Sequence, residues 1–206
     1  MRDGDVVFRG VVTDITAQRQ AEEKVSYMAH YDGLTDLPNR FMFNEHLYHA
    51  LRRDERVALL FMDLDHFKAV NDTLGHGVGD KLLQVAARRM ESIIGKRDML
   101  ARLGGDEFAI LLTGARVKEA EAVAAHVIQA MSKSFSLGDH DVVVGTTIGI
   151  AAAPQDGNDV EDLLRNADLA LYAAKGAGRN RAVRYETGMD EAAQQRRLIE
   201  MDLRGA

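Results

Sequence analysis

The feature that most constrains this fold is a pair of short apolar runs separated by two glycines and two acids. Residues 99–103 and 108–112 have strand composition, and Gly104-Gly105-Asp106-Glu107 lies between them. This pattern predicts a β-hairpin with those four residues at its tip. Adjacent carboxylates repel each other, so a bound cation, above all a metal ion, would account for them. For this motif taken alone, a solvated turn is the alternative.

A second acidic cluster precedes the hairpin. Residues 57–62 form a continuous apolar run, which is typical of a strand buried on both faces, and Asp63-Leu64-Asp65 follows it. Carboxylates at the end of a buried strand lie where α/β proteins place their chemistry. Together with the hairpin acids, Asp63 would form a hard oxygen site for Mg²⁺ or Mn²⁺, suited to phosphoryl transfer. Alone, Asp63 is equally compatible with a helix cap.

Composition restricts the class of protein. The chain has 206 residues, of which 46% are hydrophobic and 28% charged, enough for one α/β core with appendages. The net charge of -6 argues against nucleic-acid binding, and the absence of cysteine excludes disulfides and thiolate chemistry. No run approaches the roughly 20 apolar residues that span a membrane. We therefore expect a cytoplasmic location, with no membrane contact by this chain.

Hydrophobic periodicity predicts alternating helices and strands around one sheet. The predicted helices cover about residues 40–53, 79–94, 117–132 and 159–175. The predicted strands cover residues 57–63, 99–103, 108–112, 142–152 and 181–185. The central hairpin makes the sheet mixed rather than purely parallel.

Six motifs occur in an order that resembles GGDEF domains, the diguanylate cyclase family, over about residues 30 to 185. They are Asp32-Gly-Leu-Thr-Asp-Leu-Pro-Asn-Arg40, the run from Asp63 to Asp72, Gly75-His-Gly-Val-Gly-Asp80, Arg102-Leu-Gly-Gly-Asp-Glu-Phe108, Thr147-Ile-Gly-Ile-Ala151, and the run from Ala167 to Asn180. The resemblance implies an α/β (α+β) palm-like fold related to nucleotidyl cyclases. In that fold a central mixed sheet with an antiparallel hairpin is surrounded by helices.

The resemblance also implies a reaction and a catalytic group. Two GTP molecules are joined into cyclic di-GMP with release of two pyrophosphates, and each 3′-hydroxyl attacks the α-phosphorus of the other nucleotide. Since one domain holds one GTP, a homodimer is needed. Asp63, Asp106 and Glu107 match the catalytic acids, and with the carbonyl of Leu64 they match the ligands of Mg²⁺ or Mn²⁺.

Substrate contacts are implied at eight further positions. Lys68, Lys175 and Arg179 match phosphate contacts, and the last two are four residues apart near a predicted helix end. Asn71 and Asp80 match guanine contacts, and Phe67, Gly104 and Gly105 complete the set. An Asp accepts hydrogen bonds from guanine N1–H and the N2 amine, which adenine lacks, so ATP would be rejected.

One position departs from the family pattern. An inhibitory product site of the form Arg-x-x-Asp precedes the hairpin in many members, and the aligned residues here are Gly95 and Asp98. Glycine cannot supply the guanidinium contact that such a site uses. We expect product inhibition at this degenerate site to be weak or absent, and Asp98→Ala to leave it unchanged.

The flanking segments resemble parts of a longer sensor protein. Residues 1–14 resemble the end of a PAS-type sensor domain, residues 15–30 a signalling helix, residues 31–186 the GGDEF domain, and residues 187–206 the linker helix that precedes an EAL phosphodiesterase domain. Ala21, Val25 and Met28 form an apolar stripe on the signalling helix. That stripe either packs on its own domain or joins two chains in a coiled coil.

Three functions are compatible with these patterns. The first is an active diguanylate cyclase, favoured by the intact metal, phosphate and guanine positions. The second is a catalytically silent GTP-binding module that regulates an attached EAL domain. The third is a purely structural dimerisation module, which would leave Asp63 and the hairpin acids unexplained.

Overall fold

The structure, a computed structural model, describes residues 14–53, 55–95 and 97–190. The predicted sensor remnant and linker helix lie outside these residues, apart from Asp14 and residues 187–190, and so does the side chain of Ala21. Among the described residues, no helix combines the length and apolar character needed to cross a membrane.

Helices and strands alternate along the described chain, as the periodicity predicts. The helices are α1 (Thr16–His30), α2 (Arg40–Arg52), α3 (Phe67–Leu74), α4 (His76–Glu91), α5 (Ala120–Met131) and α6 (Val160–Gly176), with a 3₁₀ helix over Gly114–Glu119. The strands are β1 (Val57–Leu64), β2 (Met99–Gly104), β3 (Glu107–Thr113), β4 (Phe135–Leu137), β5 (His140–Val142), β6 (Thr146–Ala153) and β7 (Ala182–Arg184).

Five strands form a mixed sheet in the order β2-β3-β1-β6-β7. Only the β6–β7 pair is parallel, and β1 lies at the centre with antiparallel neighbours on both sides. Seven of the eight β1 residues are buried, which explains the continuous apolar run, and Asp63 is the exception. The predicted α/β fold with a central mixed sheet and an antiparallel hairpin is therefore confirmed.

The two faces of β1 bury two separate layers of side chains. Leu60 and Met62 face a core built with α4 and α5, whereas Leu59 and Phe61 face a core built with α2 and α6. Alternate side chains of a strand point to opposite faces, so one apolar strand holds helices on both sides of the sheet. Gly149 of β6 allows close approach, because a Cβ there would clash with the backbone of α6.

The structure differs from the prediction at two places, a strand that is divided and a short helix that was missed. The predicted strand 142–152 is divided, since β5 ends at Val142 and β6 begins at Thr146. Its first part instead pairs with β4 in a separate hairpin, which turns at Gly138 with a φ of +70°. The short helix α3 was not predicted, because eight residues show too few periods for a helical pattern to be recognised.

Helix α1 leaves much of its apolar stripe in solvent. Val25 is 70% exposed and Met28 is 60% exposed. The alternative in which the stripe packs on its own domain is therefore wrong for these two residues. Asp14 accepts a hydrogen bond of 2.9 Å from the Thr16 N–H at the start of the helix.

Candidate active site

The two acidic clusters meet at one end of the central strand pair. Asp63 is the register partner of Glu107 across β1 and β3, and the Leu64 N–H donates to the Asp106 carbonyl over 3.3 Å. The end of β1 and the tip of the hairpin therefore lie close together, as the sequence predicts. The turn is tighter than predicted, because Gly104 and Glu107 already pair with each other and only two residues connect them.

Glycine is required at the turn by its backbone angles. Gly104 has a φ of +143° and Gly105 a φ of +53°, where side chains with a Cβ are disfavoured. No atom lies within 4 Å of a Cβ built on either residue. The backbone conformation, rather than lack of space, therefore selects glycine here.

An arginine that the sequence analysis left without a role braces this turn. Arg102 donates to the Gly105 carbonyl from Nε at 3.0 Å and from Nη2 at 2.8 Å. Its Nη1 lies 2.9 and 2.8 Å from the two carboxylate oxygens of Asp32. Burial acts to raise the pKa of Asp32, but hydrogen bonds from Arg102 and Thr35 outweigh it, and the pKa is lowered. Both residues lie within motifs of the sequence, but only the structure pairs them.

Each of two predicted metal ligands faces a basic side chain. Lys175 Nζ lies 3.0 Å from Asp63 Oδ2, and Arg40 Nη2 lies 3.0 Å from Glu107 Oε2. Burial raises the pKa of Asp63, and the charge of Asp106 adds to this rise while the hydrogen bond from Lys175 opposes it. Arg40 is a second residue that the sequence analysis left unassigned.

The oxygen donors at this end of the sheet match a hard divalent cation in chemistry. Carboxylates and backbone carbonyls are the ligands that Mg²⁺ and Mn²⁺ prefer, and Asp106 is close enough to perturb Asp63. In the part of the chain that the structure describes, no three His, Cys, Asp or Glu side chains converge in a metal-binding arrangement. The acids face Lys175 and Arg40 instead, so cation binding would require these pairs to rearrange.

The predicted guanine contacts lie on the α3–α4 pair. Asn71 belongs to α3 and the exposed Asp80 to α4, and the helices join at Gly75 with a φ of +83°. Asn71 Oδ1 is buried without a hydrogen-bond partner. A Cβ on Gly79 would clash with that oxygen and lie 3.3 Å from Phe67 Cζ. Phe67 is itself buried, and its side chain packs in the hydrophobic core that also contains residues of α4.

The predicted phosphate contacts come from two places in the fold. Lys68 is exposed in the first turn of α3. Lys175 lies in the last turn of α6, whereas the exposed Arg179 lies beyond the helix with a φ of +59°. The two residues therefore do not share a helical face, because α6 ends between them, as the predicted helix end near residue 175 implies.

The degenerate inhibitory position has an internal partner. Asp98 Oδ2 accepts from the Gly95 N–H at 3.0 Å and lies 3.1 Å from Arg116 Nη2. Its side chain is 1% exposed. Arg97, the arginine two positions after Gly95, is exposed, whereas Asp98 pairs with Arg116.

The sequence profile described as "Diguanylate cyclase, GGDEF domain" matches residues 29–181. The chain belongs to the GGDEF family. Its tight Gly105-Asp106 turn and the β1 end opposite it are therefore the signature region of a GGDEF domain, as the six motifs predicted.

Relatives of this GGDEF chain are longer signalling proteins. It is 42% identical over 202 residues to the signaling protein YkoW of Bacillus subtilis, covering 95% of this chain and 25% of YkoW. It is 40% identical over 195 residues to the bifunctional diguanylate cyclase/cyclic di-GMP phosphodiesterase MucR of Pseudomonas aeruginosa, covering 93% of this chain and 28% of MucR. The chain thus spans about a quarter of the length of these relatives.

Solved GGDEF structures share the fold. The GGDEF domain of TpbB (YfiN) from Pseudomonas aeruginosa superposes with a TM-score of 0.77 at 40% identity, covering 80% of this chain and 99% of that structure. The coiled coil and GGDEF domain of DgcB from Caulobacter crescentus, in complex with c-di-GMP, superposes with a TM-score of 0.74 at 27% identity, covering 83% of this chain and 93% of that one.

Proposed function

We propose that this GGDEF domain is a diguanylate cyclase that condenses two GTP molecules into cyclic di-GMP and two pyrophosphates. The observation that carries the proposal is the pairing of Asp63 with Glu107 beside the Asp106 turn, with Lys175 on Asp63. Paired acids next to a basic side chain suit a phosphoryl transfer, in which cations stabilise the charge that develops on the phosphates.

Asp63, Asp106, Glu107 and the Leu64 carbonyl are the groups that would hold a divalent cation, Mg²⁺ or Mn²⁺. Such an ion would neutralise phosphate charge and acidify the attacking 3′-hydroxyl. Arg102 would keep the turn in place, since it binds the Gly105 carbonyl twice. Asp106 then stays beside the end of β1, where its carbonyl accepts from Leu64.

The nucleotide would be recognised at its two ends by different elements. Asn71 Oδ1 is a buried acceptor without a partner, and the guanine edge supplies N–H donors that suit both it and Asp80. Lys68, Lys175 and Arg179 would contact the phosphates. Because a buried acceptor without a partner is costly, this site would favour guanine over adenine.

Catalysis would require two chains, because each domain would hold one GTP and the product joins the GMP parts of two GTP molecules, with two pyrophosphates released. The exposed Val25 and Met28 of α1 offer an apolar stripe on which two chains can associate in a coiled coil. The longer protein would carry sensor and EAL domains, and this part of the proposal is supported by the phosphodiesterase activity in the name of MucR, of which the chain covers 28%.

The test is cyclic di-GMP formation from GTP and Mg²⁺ over a range of protein concentrations, followed by chromatography. We expect a rate that rises faster than linearly with protein concentration, because the active species is a dimer. Asp106→Ala should abolish the product, whereas Asp139→Ala, an exposed residue of the β4–β5 turn, should not. Saturable GTP binding without product at any concentration would contradict the cyclase assignment.

A silent regulatory module is the second candidate, and one observation favours it. NbdA of Pseudomonas aeruginosa, named a cyclic di-GMP phosphodiesterase, is 38% identical over 190 residues. In such a module, GTP would bind here and alter an attached EAL domain without being consumed. Equal phosphodiesterase activity of the longer protein with and without GTP would contradict this alternative.

A further inference from the structure

Asp65 lies one residue beyond β1 and is 4% exposed, yet the catalytic assignment gives it no role. Its N–H donates to the Gly145 carbonyl at 3.0 Å, which extends the β1–β6 ladder by one step. The backbone of Asp65, at the end of β1, is therefore fixed to the residue that precedes β6. Its carboxylate is engaged by Thr147 and Asn180, and its charge contributes to the raised pKa of Asp63.

The carboxylate of Asp65 binds a strand and a loop at the same time. Oδ1 accepts from the Thr147 hydroxyl at 2.7 Å, and Oδ2 accepts from the Asn180 N–H at 3.1 Å. The same N–H lies 3.0 Å from Thr147 Oγ1. Both donors are neutral groups. Asp65 accepts one hydrogen bond at each of its two oxygens, which an ionised carboxylate can do and an amide side chain, with one oxygen, cannot.

The loop that Asp65 holds has an unfavourable backbone conformation. Gly178, Arg179 and Asn180 have φ values of +114°, +59° and +47°. Two consecutive non-glycine residues in the left-handed region persist only where the surroundings impose it. The hydrogen bonds from the Asn180 N–H to Asp65 and Thr147 supply that constraint.

The packing around the carboxylate leaves little freedom. A Cβ on Gly145 would lie 2.9 Å from Asp65 Oδ2 and 3.0 Å from Asn180 Oδ1. Asn180 Oδ1 also lies 3.1 Å from the Ser132 hydroxyl, just beyond α5. Three segments of the chain are thus fitted around one buried acid.

Arg179 precedes Asn180 directly, so its backbone position depends on the Asp65 anchor, that is, on the hydrogen bonds of the Asn180 N–H to Asp65 and Thr147. It lines a cavity of about 270 Å³ together with Asp65 and His66. Two residues before Asp65, Asp63 holds the side chain of Lys175 at 3.0 Å. The end of β1 therefore fixes both predicted phosphate contacts. Asp63 holds the side chain of Lys175, and Asp65 holds Arg179 through the backbone N–H of Asn180.

We propose that Asp65 is a positioning residue that holds Arg179 in place for the nucleotide phosphates through the backbone of Asn180. This inference rests on the proposed binding of GTP at this site. Asp65 touches no substrate in this arrangement and acts only through the loop. Its loss should therefore weaken phosphate binding while leaving base recognition at Asn71 and Asp80 intact.

The main experiment compares two ligands by calorimetry and ligand-observed NMR. One is a GTP analogue with a methylene between its α- and β-phosphorus atoms, which blocks turnover, and the other is guanosine, which has no phosphates. Asp65→Asn should weaken the analogue about tenfold, the effect of one lost hydrogen bond to a charged group, and leave guanosine unchanged. In an Arg179→Ala background the same change should have no further effect, because the side chain that it positions is gone.

Three outcomes would overturn the inference. They are an unchanged affinity for the analogue, an equal loss for both ligands, and losses that simply multiply in the double variant. If the parent chain binds neither ligand, the proposed function fails together with this inference. If the parent chain binds both and Asp65→Asn has no selective effect, only the inference fails.

A second pair of variants tests the anchor where Asp65→Asn does not fold. Thr147→Val removes the hydroxyl that bridges Asp65 and the loop, whereas Thr147→Ser keeps it. In the nucleotide-free protein, amide hydrogen exchange at Asn180 should rise about tenfold in Thr147→Val and stay unchanged in Thr147→Ser. Equal exchange in the two variants would contradict the anchor.

Discussion

The ammonium group of Lys175 lies 3.0 Å from Oδ2 of Asp63, so the last turn of α6 is paired with the end of the central strand. This pair brings together a proposed phosphate contact and a proposed metal ligand. Burial raises the pKa of Asp63 and the nearby Asp106 raises it further, while Lys175 offsets part of that effect. Lys175 therefore balances part of the negative charge of Asp63 and Asp106, and the same side chain is a proposed contact of the nucleotide phosphates.

Replacement of Lys175 tests whether this cation serves the reaction. Lys175→Met keeps most of the stem but removes the charge, so cyclic di-GMP formation should fall by about 100-fold or more. Guanosine binding should stay within about twofold, because the base site is on α3 and α4. Lys133→Met, at an exposed residue that follows α5, is the matched control. A similar loss of rate in both variants would contradict a specific role for Lys175.

Gly79→Ala tests the guanine site through shape. The added Cβ would clash with Asn71 Oδ1, which is buried and has no partner in the nucleotide-free chain. GTP affinity should therefore fall about tenfold or more, and Asn71→Ala should produce a similar loss with less effect on stability. Calorimetry with the non-reacting GTP analogue measures the affinities. Unchanged affinity in both variants would exclude Asn71 from base recognition.

Much of the fold follows from local patterns in the sequence. The apolar run of β1 predicts a doubly buried strand, and the Gly-Gly-Asp-Glu stretch predicts the hairpin, because both signals lie within a few residues. The division of the predicted strand 142–152 could not be predicted in the same way. Its first part pairs with β4 instead of with the central sheet, and an apolar run does not reveal its partner.

The side-chain contacts of the candidate site are still harder to predict from local sequence patterns than the strands are. Motifs identify the acids, but Arg102 and Asp32 are 70 residues apart, and Arg40 and Glu107 are 67 apart. The anchor at Asp65 spans 115 residues to Asn180. Such pairs depend on how α2, β1 and the α6–β7 loop pack around the sheet, which no short pattern in the chain encodes.

The Asp32–Arg102 pair predicts a pH-dependent contribution to stability. The pKa of Asp32 is lowered in the folded chain, so its charged form favours folding. This contribution should be present above about pH 4, the usual range of an unfolded Asp, and be lost as the pH falls through the folded pKa. Asp32→Asn should lower the free energy of unfolding by about 1–3 kcal/mol at pH 7, measured by urea unfolding.

The difference between parent and Asp32→Asn should narrow as the pH falls from neutral through the folded pKa of Asp32, because the protonated Asp32 then lacks the charge, as Asn does at every pH. Asp139→Asn, at an exposed turn residue, serves as the control and should have little effect at either pH. A gap that stays constant from neutral to acid pH would mean that charge at Asp32 does not contribute.

Asp98→Ala separates a structural role from an inhibitory one. The carboxylate accepts from the Gly95 N–H and pairs with Arg116, and its side chain is 1% exposed. Its removal leaves the Gly95 N–H without its partner and Arg116 paired with Glu119 alone, so the free energy of unfolding should fall by about 2 kcal/mol in urea titrations. Inhibition by added cyclic di-GMP should stay as in the parent chain, because Gly95 cannot supply a guanidinium contact. A large relief of inhibition would show instead that Asp98 and Arg116 bind the product together.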